Sequence, residues 1–499
     1  MKITILYSSF QRDILYPRFE THPHTKAIVC GCFLLHFRAT KLFFNDSNHI
    51  STVMEEFMNQ NIFKDFVKYV SFNILGQIAY SCYTLADTFF VSVKTGTNGM
   101  TALNLAFPVF CIMSGIGLML GIGGGTRYSI LKSRKENHIA DEVFTNAFYL
   151  VILFSSIFFF TGLFFSRTLS TLLGADAEVI VITNIYLKTL MLFAPAFMLN
   201  HLLQCFIRND GNPSLSMKAM MTGSFANIIL DYIFIFPFNM GIFGAAFATG
   251  LSPIISMLVL SPYFIKKRNG FHLIKSIPTH TLSQNHILKI TANGVPPFLT
   301  EAASGVVMFL FNFIILRLAG NTGVAAFGVI SVISLVVIAL YTGLSQGIQP
   351  IISQNYGAKC DKNVHLLLKY ALITSTLLSA AIYAFIYFNA PFLVSVFNTE
   401  KNMILQNYAI TGLKLYFTAC PFIGLNIVIS TYFISINKPV PAQLISFSRS
   451  FFILIPAAFL LSHLFQMMGI WCAYPAAEIL VSIISIVLIL LHFRRKASN

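Results

Sequence analysis

Charge is what this sequence has least of. Only 10% of its 499 residues are Asp, Glu, Lys or Arg, against about 25% in a water-soluble domain. A chain so composed cannot surround a globule with a solvated surface. Acid is the scarcer sign, 18 Asp and Glu beside 33 Lys and Arg. The eight cysteines include no Cys-x-x-Cys pair, and most fall inside apolar runs; this excludes a disulfide framework or a zinc module. The glycine-rich run at 121–125 is followed by no Lys-Ser/Thr, so it is not a phosphate loop. His22-Pro23-His24 near Cys30 and Cys32 matches no metal-ligand spacing. No catalytic His/Cys/Asp set falls within the apolar runs, and there is no nucleotide-binding segment or soluble output domain. A membrane-embedded enzyme or sensor is therefore a poor reading, and neither enzymatic activity nor a cofactor is expected.

What is present is hydrocarbon. Hydrophobic residues make up 56% of the chain and the mean hydropathy is +0.74. The runs are continuous rather than alternating, which argues against a β-barrel. With roughly 20 residues needed per crossing, they predict an all-α integral membrane protein. Twelve transmembrane helices are expected, near 66–93, 100–126, 144–166, 179–206, 215–238, 241–265, 288–318, 323–351, 366–390, 403–434, 442–464 and 469–493. Basic clusters occupy alternate connections and the C-terminal tail: Arg127/Lys132/Arg134/Lys135, Lys266/Lys267/Arg268, Lys359/Lys362 and Arg494/Arg495/Lys496. The opposite connections hold the single cations Lys94, Arg167, Arg317 and Lys401. Both termini should be cytoplasmic in a plasma-membrane protein, and most of the net charge of +15 reports orientation rather than nucleic-acid binding. The lipid bilayer is the expected partner; nucleic acid is not.

Residues 1–53 fit none of this. The run Ala27–Phe37 is too short to span and lacks a small-residue cleavage site. Met54 opens an amphipathic lead into the first span, so 1–53 is expected to be an extension outside the fold, with Met54 the natural start.

The chain repeats itself. Gly117 and Gly343, Pro195 and Pro421, and Pro213 and Pro439 are each 226 residues apart, and Met240-Gly241-Ile242 returns as Met468-Gly469-Ile470 at 228. Six spans separate the copies, so the halves share one orientation and should enclose a cavity about a pseudo-twofold axis. The expected domains are an N-terminal lobe at 54–265, a basic cytoplasmic linker at 266–287 and a C-terminal lobe at 288–499.

Ala86-Asp87-Thr88, Arg208-Asn209-Asp210-Gly211-Asn212-Pro213, Asn227-Ile228-Ile229-Leu230-Asp231, the run from Gly241 to Thr249, Gly347-Ile348-Gln349-Pro350 and Asn355-Tyr356-Gly357-Ala358 occur in this order within the six-plus-six repeat. In this the chain resembles the multidrug and toxic compound extrusion (MATE) family, and within it the bacterial MepA-like branch, from about Asn61 to Arg494. The resemblance implies two six-helix lobes in a V and a secondary antiporter. It would export cationic amphipathic drugs against an inward flow of H⁺ or Na⁺, and is expected to be a monomer. A lipid-linked-sugar flippase of the same superfamily is the alternative. A major-facilitator transporter would need an Asp-Arg signature that the 127–134 loop lacks.

Acidic residues in lipid-spanning helices are functional candidates by default. Asp87 lies eight residues before Thr95, Asp231 eight before Asn239, and Thr249 eight after Gly241. All three thus fall about 12 Å below the outer helix ends, and Asn227 shares a helix face with Asp231. Two carboxylates, an amide and a hydroxyl at one depth can hold Na⁺ or, when desolvated, carry a proton; their plain alternative is hydrogen bonding between helices. The matching family positions form the N-lobe cation site. Glu301, after Pro296-Pro297, reads as a counter-charge for a cationic substrate or as a structural ion pair. Relatives place a Glu eight residues past the matching proline, which is Ser304 here. Gln346 and Gln349 are candidates for the lining of the central cavity and Asn200 for substrate binding in the N-terminal lobe, each with helix packing as the plain alternative. Lys188 either snorkels outward, as Lys414 does 226 residues later, or pairs with Asp87 or Asp231. Glu478 and Arg449 are expected to pair across helices. Relatives that kink the first span carry a proline near Phe72/Asn73; this span has none, so bending would have to occur at Gly76 or be absent.

Overall fold

The computed structural model describes residues 60–274, 284–398 and 402–497. The extension at 1–53 and the start at Met54 lie outside the described residues. The described chain is helical: α1 (Gln60–Ser133), α2 (Asn137–Leu172), α3 (Ile180–Leu192), α4 (Ala194–Asn209), α5 (Pro213–Ile235) and α6 (Gly241–Ile265), then α7 (Gln284–Gly357), α8 (Asp361–Phe397), α9 (Met403–Tyr416), α10 (Cys420–Ser435), α11 (Pro439–Phe447) and α12 (Leu454–Ala497). Among the described residues, seven helical stretches are long and apolar enough to cross a membrane, and α3 with α4, bent by 45° at their junction, makes an eighth. Large apolar side chains such as Phe89, Phe160, Phe388 and Leu480 are exposed around the outside, as a hydrocarbon solvent requires. The protein is an all-α, multi-pass membrane protein.

The internal repeat is written into the backbone. Helix α1 breaks at Gly96 (φ 62°, ψ −148°) and α7 breaks 224 residues later at Gly320 (φ 61°, ψ −157°). Lys135 and Lys359 share positive φ at the same offset; Gly211 and Asn437 do so 226 residues apart. Left-handed backbone is costly for a residue with a Cβ, so its return at matching positions means that both halves turn at the same places. Asn239 and Gly241 have their counterpart in Gln466, where α12 breaks.

Packing follows the same division. One cluster, from Val91 to Phe271, lies in the first half and is joined by Ile290 at the start of α7; a second, from Phe311 to Ala477, lies in the second. A third joins them, with Phe66, Tyr69 and Val70 of α1 against Leu344, Ile348 and Ile352 of α7. Small residues allow this close approach. A Cβ on Gly343 would lie 2.6 Å from the Ile74 Cα, and one on Gly347 would lie 2.7 Å from the Val70 Cα.

The stretch expected to be linker begins as part of the first half. Phe271 is 1% exposed, its ring packed on Phe144, Phe206 and Tyr128. The Gly270 N–H donates to Asp210 Oδ2 at 2.6 Å, as does the Tyr263 hydroxyl. Residues 275–283 lie outside the described residues.

Candidate cation site and central cavity

Helix α5 begins where its sequence says it should. Gly211 takes φ 92°, Pro213 fills the first turn without needing a donor, and Asn212 Oδ1 caps the Leu215 N–H at 3.3 Å. This sets the rotation of the helix, which turns Asn227 and Asp231 inward together, both 0% exposed. Helix α6 packs beside α5 and brings Thr249, also buried. The Asn227 amide, in the orientation that satisfies both its ends, donates to Asp231 Oδ2 at 3.0 Å and accepts from the Thr249 N–H at 3.2 Å. The Thr249 hydroxyl donates to the Ala245 carbonyl at 3.0 Å. Asp87 on α1 is buried and close enough for its charge to act on Asp231.

The four residues singled out in the sequence thus converge from α1, α5 and α6. Asp87 Oδ1 and Asp231 Oδ1 are buried without any hydrogen-bond partner. Each oxygen left so costs about 1–3 kcal/mol. A proton on one carboxyl or a small hard cation between the two supplies what the protein withholds, so the donor set fits either ion. Among the described residues, no group of three or more His, Cys, Asp or Glu could hold a metal. Two residues escaped the sequence reading: Tyr83 and Tyr186 both lie within electrostatic reach of the two carboxylates. Tyr83 could have been found, since it precedes Asp87 by one helical turn.

A second site lies between the halves. Its cavity is lined by Arg208, Glu301, Gln346, Gln349, Asn426 and Arg449 among others. Glu301 makes no hydrogen bond or ion pair among the described residues, whereas Ser304 is exposed on the outside of the helix. Gln346 and Gln349 both line the cavity and tie the halves together. Arg208 Nη1 donates to Gln346 Oε1 at 2.7 Å and to Asn73 Oδ1 at 2.9 Å. Asn209 and Gln349 exchange amide hydrogen bonds, each 3.1 Å; Gln349 also donates to Thr126 Oγ1 at 2.9 Å. Gln354 Nε2 reaches the Asn209 carbonyl at 3.1 Å. Together with the Gly343 and Gly347 contacts, these bonds form a seam that joins the halves toward the end of the bundle carrying Ser133, Asn209 and Gly357.

Arg449 stands in a π-helical segment, Ser448–Phe452, and pairs with Glu478, which also accepts from Asn426 Nδ2 at 2.8 Å. Asn200 is absent from this lining. It borders a smaller cavity in the first half, where its Oδ1 accepts from Gln204 Nε2 at 3.1 Å and Ser256 Oγ at 2.9 Å. Lys188 is half-buried on α3 and is not in ion-pair contact with Asp87 or Asp231. Lys414 instead places its Nζ 4.9 Å from the Tyr387 ring centroid.

The profile of the MatE family matches residues 73–233 and 296–460, one segment in each half. The chain is 25% identical over 436 residues to the multidrug export protein MepA of Staphylococcus saprophyticus, covering 87% of this chain and 95% of that protein. The same identity and coverage hold for the protein of that name from Staphylococcus aureus. The fold superposes, with a TM-score of 0.81 at 22% identity, on an outward-facing multidrug resistance MATE family transporter of the MOP superfamily, covering 87% of this chain and 97% of that one. It also superposes on a MOP superfamily transporter from Pyrococcus furiosus, described as having a binding pocket of reversed polarity, with a TM-score of 0.79 at 23% identity and coverage of 85% and 94%. Matched in both halves over most of its length, the chain belongs to the MatE family.

Proposed function

We propose that this protein is a secondary active multidrug exporter of the MepA-like branch, which moves cationic amphipathic compounds outward in exchange for H⁺ or Na⁺. It would cross the plasma membrane twelve times, since the breaks at Gly96, Gly320 and Gln466 divide three long helices into pairs and α9 continues into α10. The lobes would be 54–265 and 288–499, joined by a cytoplasmic linker at 266–287, with both termini cytoplasmic by the distribution of basic residues. A monomer suffices for this mechanism. No enzymatic step enters it.

The observation that carries this reading is the pair of buried carboxylates with unsatisfied oxygens. Asp87, Asn227, Asp231 and Thr249 would take the coupling ion, and Glu301 would face the cationic part of the cargo. Helix α1 links the two sites mechanically. It carries Asp87, and about 20 Å along the same helix its Ile74 and Val70 meet Gly343 and Gly347 at the seam. Loading one positive charge between Asp87 and Asp231 removes a like-charge repulsion and changes what that helix packs best against. Coupling requires such differential contacts in two states. A flippase for anionic lipid-linked sugars would call for a lining dominated by cations, whereas Glu301 opposes Arg208 here and Arg449 is paired with Glu478.

The test is efflux of a fluorescent cation from reconstituted vesicles, with pH and Na⁺ gradients imposed separately. One gradient should drive efflux, and Asp87→Asn or Asp231→Asn should abolish the gradient-driven part. Efflux that ignores both gradients and both substitutions would sink the proposal.

A further inference from the structure

The central cavity contains a charge that export of simple cations does not use. Arg208 is 1% exposed and lines the cavity beside Gln346 and Gln349. No carboxylate meets it among the described residues. Its hydrogen bonds go to the amide oxygens of Asn73 and Gln346 and to Cys205 Sγ, and its Nε has no partner. Amide dipoles orient a guanidinium but leave its charge in place. The other cation of the lining, Arg449, is already paired with Glu478. Glu301 is the complementary case, a carboxylate in the same lining without a cation.

The two lone charges occupy different levels. Helix α1 passes Glu301 Cβ at Gly115 and the Asn209 amide, next to Arg208, at Gly125. Ten residues are about 15 Å of helix, so the two side chains start from levels that a drug-sized molecule can bridge.

We propose that Arg208 is an anion subsite, and that the cavity is built for zwitterionic amphipaths: the cationic end on Glu301, the carboxylate end on Arg208. This rests on the cavity being the substrate cavity. A carboxylate is a stronger acceptor than an amide oxygen, and a guanidinium binds it through two parallel bonds. A bound carboxylate therefore competes with Gln346 for Arg208.

The experiment uses the full-length protein in lipid nanodiscs and two dyes, a rhodamine with a free carboxyl group, zwitterionic at neutral pH, and its methyl ester, a plain cation. Fluorescence polarisation gives both dissociation constants. The wild type should bind the acid at least as tightly as the ester. Arg208→Gln should raise the acid-to-ester ratio of dissociation constants at least tenfold, and Arg208→Lys should keep most of the preference. Glu301→Gln should weaken both dyes without moving the ratio, because the cationic end is common to them. Damage to the fold affects both dyes and cancels in the ratio. An ester bound tenfold more tightly than the acid by the wild type overturns the proposal even if Arg208→Gln does not fold, as does a ratio unmoved by that substitution. Binding of neither dye would instead remove the cavity as a substrate site and take the export reading with it.

Discussion

Asn227 holds Asp231 in place through one hydrogen bond to Oδ2 while leaving Oδ1 without a donor. That asymmetry is what an ion site needs, a carboxylate fixed in direction yet incomplete. Asn227→Ala removes the donor and should cost about 1.4 kcal/mol, a factor of ten. The expected result is a roughly tenfold change in the H⁺ or Na⁺ concentration giving half-maximal efflux, read from a titration of vesicle efflux. An unchanged midpoint would mean that the amide is helix packing alone. At this scale the sequence carried much of the site. Asp87, Asp231, Asn227 and Thr249 could be placed by counting from helix ends, because depth in a membrane helix is a linear function of residue number. Arg208 could not be recognised in the same way. Its place at the end of a helix near a turn is where cytoplasmic cations ordinarily sit, and nothing in the local sequence shows that it turns inward between Asn73 and Gln346.

Among the helices, α1 and α7 govern the relation of the two halves. Each breaks at a glycine with positive φ near its middle, and each presents backbone rather than side chains where Gly343 and Gly347 meet Ile74 and Val70. Gly343→Val would place a Cβ 2.6 Å from the Ile74 Cα, a distance that no rotamer relieves. The seam should then stay open. Buried Cys205, next to Arg208, should react at least tenfold faster with a membrane-permeant maleimide, scored by mass spectrometry to separate it from exposed Cys82 and Cys360. Unaltered labelling would show that the helices can part here without consequence. Helix α1 itself is continuous from Gln60 to Gly96. Of the two alternatives for this proline-free span, a bend at Gly76 or none, this state has none, and a Cβ at Gly76 would lie 2.8 Å from Met220 Sδ on α5.

For the molecule as a whole, alternating access requires that the end where the halves are joined open at some point in the cycle. The second limbs of α1 and α7 meet at their ends, where a Cβ on Gly357 would lie 2.9 Å from Ser133 Cβ. In a variant with Cys360 replaced by serine, Ser133→Cys together with Gly357→Cys should form a disulfide on oxidation. Efflux should then fall at least tenfold and recover on reduction. Full efflux from the cross-linked protein would show that this end never opens.

The membrane class, the internal repeat and the comparable depth of the candidate cation-site residues were legible in the sequence alone, because each rests on local composition or on a count along a helix. Tertiary structure decided which polar groups go without partners. That Asp87 and Asp231 each keep an unsatisfied oxygen, that Gln346 and Gln349 tie the halves while lining the cavity, that Glu478 is neutralised by Arg449, and that Phe271 draws the expected linker into the first half all depend on contacts between residues from 29 to 140 positions apart or more. A hydrogen bond or an ion pair is settled within a few ångströms of space, and separation along the chain says little about which groups the packing of helices will bring within that range.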